Sequence, residues 1–157
     1  MTPIDHSPIL LTLQNNSATI DWQSFLGNLL NTFNCQTGTI HFLDSADNLL
    51  KMKAYKGIPD FMLPKMSVIP IGKGMAGVAA QRMDAMQMCN LQTDDSGVAR
   101  PSAKETKMEG SIAVPMILDG KLYGAFGIAK PVPYDFTKEE TTALLQIGEA
   151  MCKRVGG

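Results

Sequence analysis

The sequence predicts an α+β fold, in which a mixed, mainly antiparallel central sheet carries N-terminal and C-terminal helices stacked on one face. Amphipathic segments near the two ends of the chain predict the helices, and alternating runs between them predict the strands. Asp119-Gly120 joins two alternating runs and is a strong short signal for a tight hairpin. The order of these elements favours helices that pack together against a single sheet.

The two terminal helices show the three-four spacing of a single apolar face. The first is expected over 19–33 and begins at Thr19 or Asp21. The second follows the capping-box pair Thr137 and Glu140. Its apolar face carries Leu144, Ile147, Met151 and Val155, and that of the first helix carries Trp22, Phe25, Leu26, Leu29, Leu30 and Phe33.

Strands are predicted between the helices. The segment 37–44 is one, and in 49–57 Leu50, Met52 and Ala54 alternate with polar residues, which indicates a single buried face. A proline-bounded helical turn is expected over 58–66, followed by a strand, a glycine turn with a short helix, and a strand over 86–91. The segment 92–110 is long and aperiodic, which is typical of a functional or disordered loop.

Gly72, Gly74 and Gly77 have the G-x-G-x-x-G spacing of a dinucleotide-binding turn. The context does not fit, because Pro70 interrupts the preceding strand, the following helix is short, and the acidic residues roughly 20 positions on, Asp94 and Asp95, lie in a loop. Two interpretations stay open. The first amides of the short helix could bind a small anion, or the glycines could serve only a tight turn and close packing.

Composition restricts the function. The 157 residues predict one domain over 1–157, with a core at about 19–155 and an N-terminal extension over 1–18. A formal charge of −1 provides no positive electrostatic field that would attract nucleic acid or an anionic membrane. Neither an apolar run of about 20 residues nor a basic signal-peptide start is present, so a cytoplasmic location is expected. Three cysteines without C-x-x-C spacing indicate buried thiols rather than a disulfide or zinc site.

The chain resembles the GAF domain family from about Thr19 to Val155. The similarity is carried by 37–44 with 51–60, by "IPIGKGMAGVAAQ", and above all by "GSIAVPMILDGKLYGAFGIAKPVPYDFTKEE". This resemblance implies that the helices lie behind the sheet and that a ligand pocket lies in front of it. It also implies that the glycine-turn helix and the long loop form the roof of that pocket.

The resemblance also implies the residues of the ligand site. The turn would contribute backbone amides and the charge of Lys73, the long loop would form a lid, and the hairpin would offer hydroxyl groups. Arg100 is the favoured cation of the lid, because a guanidinium can bond an oxyanion in two places. The predicted site residues are Lys73, Gly74, Met75, Ala76, Arg100, Ser102, Ala103, Glu105, Met108, Ser111 and Tyr123, with Tyr55 and Phe42 as apolar walls.

The predicted function is a small-molecule-binding sensory module that needs no cofactor. Its size and turn are similar to stand-alone GAF nitrate receptors, which implies a small anion such as nitrate and signalling to a separate sensor kinase. A homodimer through the terminal helices is expected, using Trp22, Phe25 and Leu29, although the same face could simply cover the sheet. The residue patterns of cyclic-nucleotide-binding and bilin-binding members are absent.

Three alternatives stay open. A free methionine-R-sulfoxide reductase needs a thiolate, but Met75 stands where its turn cysteine would be and the long loop has no cysteine. A copper(I) site could use the soft sulfur atoms of Met83, Met86, Met88 and Cys89, although methionines also fill gaps in cores and Met86 and Met88 alternate as core residues would. The domain could also be a scaffold that binds no ligand. His41, alone in a strand, is expected to be a packed or surface residue rather than a metal ligand.

Overall fold

The computed structural model describes residues 6–14, 19–88, 90, 92 and 107–155. The helices are α1 (Ser7–Gln14), α2 (Trp22–Thr32), α3 (Leu63–Met66), α4 (Gly74–Arg82) and α5 (Lys138–Val155), with a 3-10 turn at Asp60–Met62 before α3. The strands are β1 (Thr37–Asp44), β2 (Leu49–Lys56), β3 (Val68–Pro70), β4 (Met86–Met88), β5 (Gly110–Leu118) and β6 (Lys121–Lys130).

The six strands of the described chain form one sheet in the order β3-β2-β1-β6-β5-β4. Every neighbouring pair is antiparallel, so the α+β class is confirmed, while the expectation of a mixed sheet is corrected to an antiparallel one. Two of the sheet's connections are tight turns. At the β5–β6 turn, Asp119 and Gly120 both have positive φ values. This left-handed pair is what a two-residue hairpin turn requires.

The terminal helices pack on one face of the sheet, which is called the helix face below. Helix α2 lies against β1 and β2, and α5 lies mainly against β5. Asp21 caps α2 by accepting bonds from the amides of Gln23 and Ser24. The capping box of α5 is present, with Thr137 and Glu140 each accepting a bond from the other's backbone amide. The helix-face core is thus built by the elements that the sequence periodicity predicts.

The apolar face of α2 covers the chain's own sheet. Trp22 is 9% exposed, and Phe25 and Leu29 are more deeply buried. The expectation that these residues leave apolar surface for a partner is therefore corrected, because Phe42 and other side chains of the sheet cover this face of α2. Within the N-terminal extension, α1 packs on α5, and Arg154 donates to the carbonyl of Leu13 at 3.0 Å.

Strand β2 does not keep a single buried face. The β1–β2 register shifts between Ile40 and His41, so Lys53 is an extra residue in the ladder. Leu50 therefore packs in the core opposite the helix face, with Ile69 and Ala125, whereas Ala54 packs in the helix-face core. The simple alternation expected for this strand is thus interrupted, and the two cores share one strand.

Candidate ligand-binding site

A cavity lies on the side of the sheet opposite the helix face. The volume open to the centre of a water-sized sphere is about 120 Å³. The sheet forms the floor, and the roof is formed by Ile58, by Lys65 and Met66 of α3, and by the first residues of α4. Its walls are mainly carbon. The lining residues are Thr37, Gly38, Thr39, Ile58, Lys65, Met66, Ile69, Gly74, Met75, Ala76, Ser111, Ile112, Ala113, Gly127, Ile128 and Ala129.

Strand alternation places the polar groups of the floor. Thr39 of β1 pairs with Gly127 of β6, and Gly127 pairs with Ala113 of β5, so all three share a face. Ser111 and Ala129 pair in the same way at the next position of that face. Because the alternating side chains are small, the floor leaves room above it, and two hydroxyl-bearing strands, β1 and β5, border that space.

The roof presents the N-terminus of α4 to the cavity. Gly74, Met75 and Ala76 are the first three residues of that helix and line the cavity. The cap residue, Lys73, has extended backbone and makes no side-chain capping bond. The first amides of a helix have no partner within the helix, and its dipole favours negative charge there. A ligand with an acceptor group would therefore meet donors at this point.

The glycine spacing of the turn is explained by backbone geometry. Gly72 and Gly74 both have positive φ values. L residues with a side chain rarely adopt this conformation. Gly77 allows close packing, because a Cβ atom there would lie 2.5 Å from the Pro70 carbonyl oxygen. The amide of Gly72 donates back to the carbonyl of Gly77 at 2.8 Å. Backbone conformation thus accounts for Gly72 and Gly74, and close packing accounts for Gly77, while the first residues of α4 still line the cavity.

The structure brings four predicted site residues together at the cavity: Gly74, Met75, Ala76 and Ser111. Lys73 is exposed and does not line the cavity. Met108 does not line it either, and its carbonyl accepts a bond from Gln92 at 2.7 Å. Arg100, Ser102, Ala103 and Glu105 lie outside the described residues, so a contribution from the lid stays a prediction.

The three aromatic residues expected near the pocket lie elsewhere. Phe42 is on the helix face, with its ring centroid 5.2 Å from that of Trp22, because it shares the strand phase of Ile40. Tyr123 packs against the same core. Tyr55 is exposed on β2, where the Gln23 side chain bonds both its backbone groups. None of these three side chains reaches the cavity wall.

Sequence reasoning missed several lining residues. Thr37 and Thr39 alternate with Gly38 and Ile40 along β1. The periodicity of this strand therefore already places the two threonines on the face opposite the helix-face core. No comparable signal marks Lys65 and Met66, because a four-residue helix has no readable period. Their place in the roof follows from the path of the chain between β2 and β3.

His41 is buried at the inner side of this roof. Its Nε2 atom donates to the carbonyl oxygen of Met66 at 2.7 Å, and its Nδ1 atom has no partner among the described residues. Burial lowers the pKa of His41, and the bond to Met66 opposes that effect. The ring is therefore neutral near pH 7, with the proton on Nε2. It is a packed residue, as the strand pattern indicates.

A polar junction joins the helix face to the edge of the cavity. Lys130 follows the lining residue Ala129, and its ammonium group donates to the carbonyls of Phe33 and Asn34 at 2.7 and 3.1 Å. The same ammonium lies 4.4 Å from the centre of the Tyr134 ring, within the range of a cation–π contact. Tyr134 in turn donates to Glu140 at 2.7 Å. The end of α2 and the start of α5 are thereby both tied to β6.

The described thiols do not face the cavity. Cys35 and Cys152 are buried in the helix-face core, and burial raises their pKa values to about 11 and about 12. Cys89 lies outside the described residues. Met83 is exposed after α4 and Met88 is buried in β4. Among the described residues, no group of three or more His, Cys, Asp or Glu side chains is placed to hold a metal ion.

No helix in the described part of the chain is both long and apolar enough to cross a membrane.

Three solved structures with similar folds differ in their functions. The GAF domain of an Acinetobacter phosphoenolpyruvate-protein phosphotransferase has a TM-score of 0.78 at 17% identity, with 96% of this chain and 89% of that chain covered. A Neisseria meningitidis free methionine-R-sulfoxide reductase in complex with its substrate has a TM-score of 0.75 at 17% identity, with 96% of this chain and 85% of that chain covered. A domain assigned to a two-component sensor histidine kinase of Sinorhizobium meliloti 1021 has a TM-score of 0.67 at 16% identity, with 86% of this chain and 88% of that chain covered.

Likeness at these identities establishes the fold, and not an activity. No curated protein matches the sequence. The sequence model of the GAF domain matches residues 23–151, which extend from the start of α2 almost to the end of α5. This match includes every strand of the sheet and every described residue that lines the cavity. The chain therefore belongs to the GAF domain family.

Proposed function

We propose that this protein is a regulatory module that binds a small anionic molecule, such as nitrate, in the cavity between the sheet and α4. The observation that carries the proposal is a cavity with apolar walls into which the uncapped N-terminus of α4 opens. Apolar walls with a few convergent polar groups are typical of small-molecule sites. The α4 amides supply the convergent donors.

The charge of the lining favours an anion. Lys65 is the ionisable residue among the described lining residues, and these include no carboxylate. Thr39 and Ser111 add hydroxyl groups from the floor. A cation would lose its hydration in this cavity without a negative partner, whereas an anion would gain amide and hydroxyl contacts. These contacts suit nitrate, nitrite or a short carboxylate.

The size of the cavity limits the ligand. A single water needs roughly 10–15 Å³ of space measured in this way. The volume of about 120 Å³ therefore has room for a small ion together with water, or for a molecule of several heavy atoms. A nucleotide or a bilin would require a much larger space.

A binding role is favoured over catalysis. Reduction of a sulfoxide by a thiol enzyme requires a thiolate, and the lining contains none among the described residues. Cys35 and Cys152 lie on the opposite side of the sheet and are held protonated. The reductase stays the alternative, since reductase structures share this fold. Replacing Cys35, Cys89 and Cys152 together by serine should leave anion binding intact, whereas a reductase would lose all turnover.

The signal would pass to a separate protein, such as a sensor kinase. The junction at Lys130 supports this step, because it connects a cavity-lining strand to α2 and, through Tyr134 and Glu140, to α5. Dimerisation through the terminal helices would have to use surface outside the buried face of α2. Light scattering at high protein concentration, with and without nitrate, measures the oligomeric state directly.

A thermal-shift titration with nitrate tests the proposal. At about 100 times the dissociation constant, a ligand adds about 2.7 kcal/mol of stability, which corresponds to roughly 5 to 10 °C for a domain of this size. Nitrite, formate, phosphate and free methionine sulfoxide form the comparison series. A saturable shift with one small anion supports the proposal, and the absence of any shift refutes an anion receptor of this kind.

Variants of Gly127 test whether the anion occupies the cavity. A Cβ atom at Gly127 would lie 3.5 Å from the Ile112 carbonyl and 4.0 Å from the Thr39 hydroxyl, so alanine fits without a clash. Gly127→Val should fill part of the cavity and abolish the nitrate shift, while Gly127→Ala should reduce it only partly. If both variants bind nitrate as well as the wild type, the anion binds elsewhere.

A further inference from the structure

The roof of the cavity is attached to the sheet by two backbone carbonyls. His41 donates from Nε2 to the carbonyl of Met66 at 2.7 Å, and the amide of Met52 donates to the carbonyl of Ser67 at 2.8 Å. Both carbonyls belong to the last turn of α3 and the residue after it. This short segment also places Lys65 and Met66 in the cavity wall.

The two attachments differ in kind. The bond from Met52 is a backbone bond at the β2–β3 edge of the sheet, where it continues the pairing of these strands. The bond from His41 comes from a side chain on β1, a central strand, and spans 25 positions of the sequence. Thr39 lies on the same face of β1 and lines the cavity. His41 therefore holds the roof from directly beside the cavity.

The state of the His41 ring follows from its partners. A carbonyl oxygen can only accept, so Nε2 must carry a proton. The ring has no exposed surface, and Nδ1 has no partner among the described residues. A buried acceptor without a partner lowers the stability of the folded protein, so histidine is poorly suited to this position if its role is packing alone. A leucine of similar volume would avoid that cost but would release the Met66 carbonyl.

We propose that His41 is a positioning residue for the ligand site, which holds α3 over the cavity through the Met66 carbonyl. The effect on ligand binding rests on the proposed function, since a fixed roof sets Lys65 and Met66 against a bound anion. The attachment of α3 by His41 is present in the ligand-free protein and does not depend on which ligand binds. Loss of the bond frees the last turn of α3, and the cavity wall then becomes mobile.

Two variants separate the hydrogen bond from packing. His41→Gln keeps an N–H donor at nearly the reach of Nε2, and His41→Leu keeps volume without a donor. Amide hydrogen exchange of Ser67, whose N–H donates to the Leu63 carbonyl at 2.9 Å, reports on the last turn of α3. The amides of α5 serve as the reference within the same protein.

In the ligand-free protein, His41→Leu should speed exchange at Ser67 by about threefold to tenfold, the effect of losing one hydrogen bond. His41→Gln should restore most of the protection, and α5 should exchange alike in all three proteins. Nitrate affinity should fall in His41→Leu and recover in His41→Gln. Equal exchange at Ser67 in the wild type and His41→Leu would overturn the proposal, as would faster exchange spread evenly over the whole chain.

Imidazole nitrogen spectra provide a second readout that packing alone would not change. The sequence contains only His6 and His41, so assignment requires one His6→Gln variant. His41 should show the neutral form protonated at Nε2 at pH 7. A ring protonated at Nδ1 would overturn the proposal. If wild-type protein binds none of the small anions while the exchange results are as expected, the proposed function fails and the role of His41 in holding the roof stands.

Discussion

The ammonium group of Lys130 donates to the main-chain oxygen of Phe33 at 2.7 Å, which joins the last residue of β6 to the end of α2. Ala129, one residue earlier, lines the cavity. A displacement of β6 by a ligand would therefore act directly on the α2 terminus. The carbonyl of Asn34 accepts a second bond from the same group, so one side chain bonds two successive backbone oxygens.

Lys130→Met should lower the free energy of unfolding by about 2–4 kcal/mol, because hydrogen bonds from a charged donor contribute about 1.5–3 kcal/mol each and both bonds from Lys130 would be lost. Urea denaturation measures the change. Lys121→Met is the matched control, since Lys121 is exposed and lies over Tyr123 at 5.3 Å on the hairpin. A loss of similar size in the control would contradict the assigned role of Lys130.

Gly77→Ala should destabilise the protein and displace α4, because the new Cβ atom would lie 2.5 Å from the Pro70 carbonyl oxygen, a backbone atom that has little freedom to move. Gly27→Ala is the matched helical control. In α2 the added Cβ atom would meet only the end of the Lys56 side chain, at an ordinary van der Waals distance. This change should therefore stabilise the protein by about 0.5–1 kcal/mol. Thermal unfolding of both variants decides the matter, and equal effects would contradict the close packing of the turn.

Stability should fall as the pH drops below the ordinary histidine pKa of 6.5. Burial lowers the pKa of His41 in the folded protein, so the unfolded chain binds its proton first as the pH falls. The contribution of His41 is complete above pH 6.5 and is lost below it. Urea midpoints measured between about pH 7.5 and 5 should decline less steeply in His41→Gln than in the wild type. Parallel declines would show that other groups cause the loss.

The buried thiols should be unreactive in the folded protein. With pKa values raised to about 11 and about 12, Cys35 and Cys152 have very small thiolate fractions at neutral pH. In a Cys89→Ser variant, a disulfide reagent at pH 8 should modify neither thiol on the time scale at which it modifies a small free thiol, at least about 100-fold more slowly. Denaturant should release both. Rapid modification of either thiol under native conditions would refute its burial and revive a thiol-based activity.

The sequence alone determined the elements whose signals are local. Helix α2, strand β1, the Asp119–Gly120 hairpin and the capping box at Thr137 all follow from side-chain periodicity or from the conformations that a few adjacent residues allow. Strand β1, the hairpin and the capping box, together with the glycine turn, also carry the family resemblance. That resemblance implied a place near a pocket for the N-terminus of α4 and for Ser111, and both line the cavity.

Tertiary structure decided the remaining features, because each depends on residues far apart in the chain. The bulge at Lys53 depends on the pairing of β2 with β1, and it sends Leu50 and Ala54 to opposite cores. Periodicity indicates that Ile40 and Phe42 share a face, but only the packing of Trp22 shows that this face is the one opposite the cavity. In the same way, periodicity shows that α2 has an apolar face, but only the tertiary structure shows that this face packs against the chain's own sheet.

The roof of the cavity is the clearest case of a feature that no local pattern predicts. Lys65 and Met66 lie in the wall, next to a carbonyl that is bonded by a side chain 25 residues earlier in the sequence, on β1. Lys130 holds a carbonyl 97 residues earlier in the sequence. A hydrogen bond depends on distance and angle in space, and spacing along the chain carries no information about either until the sheet has formed.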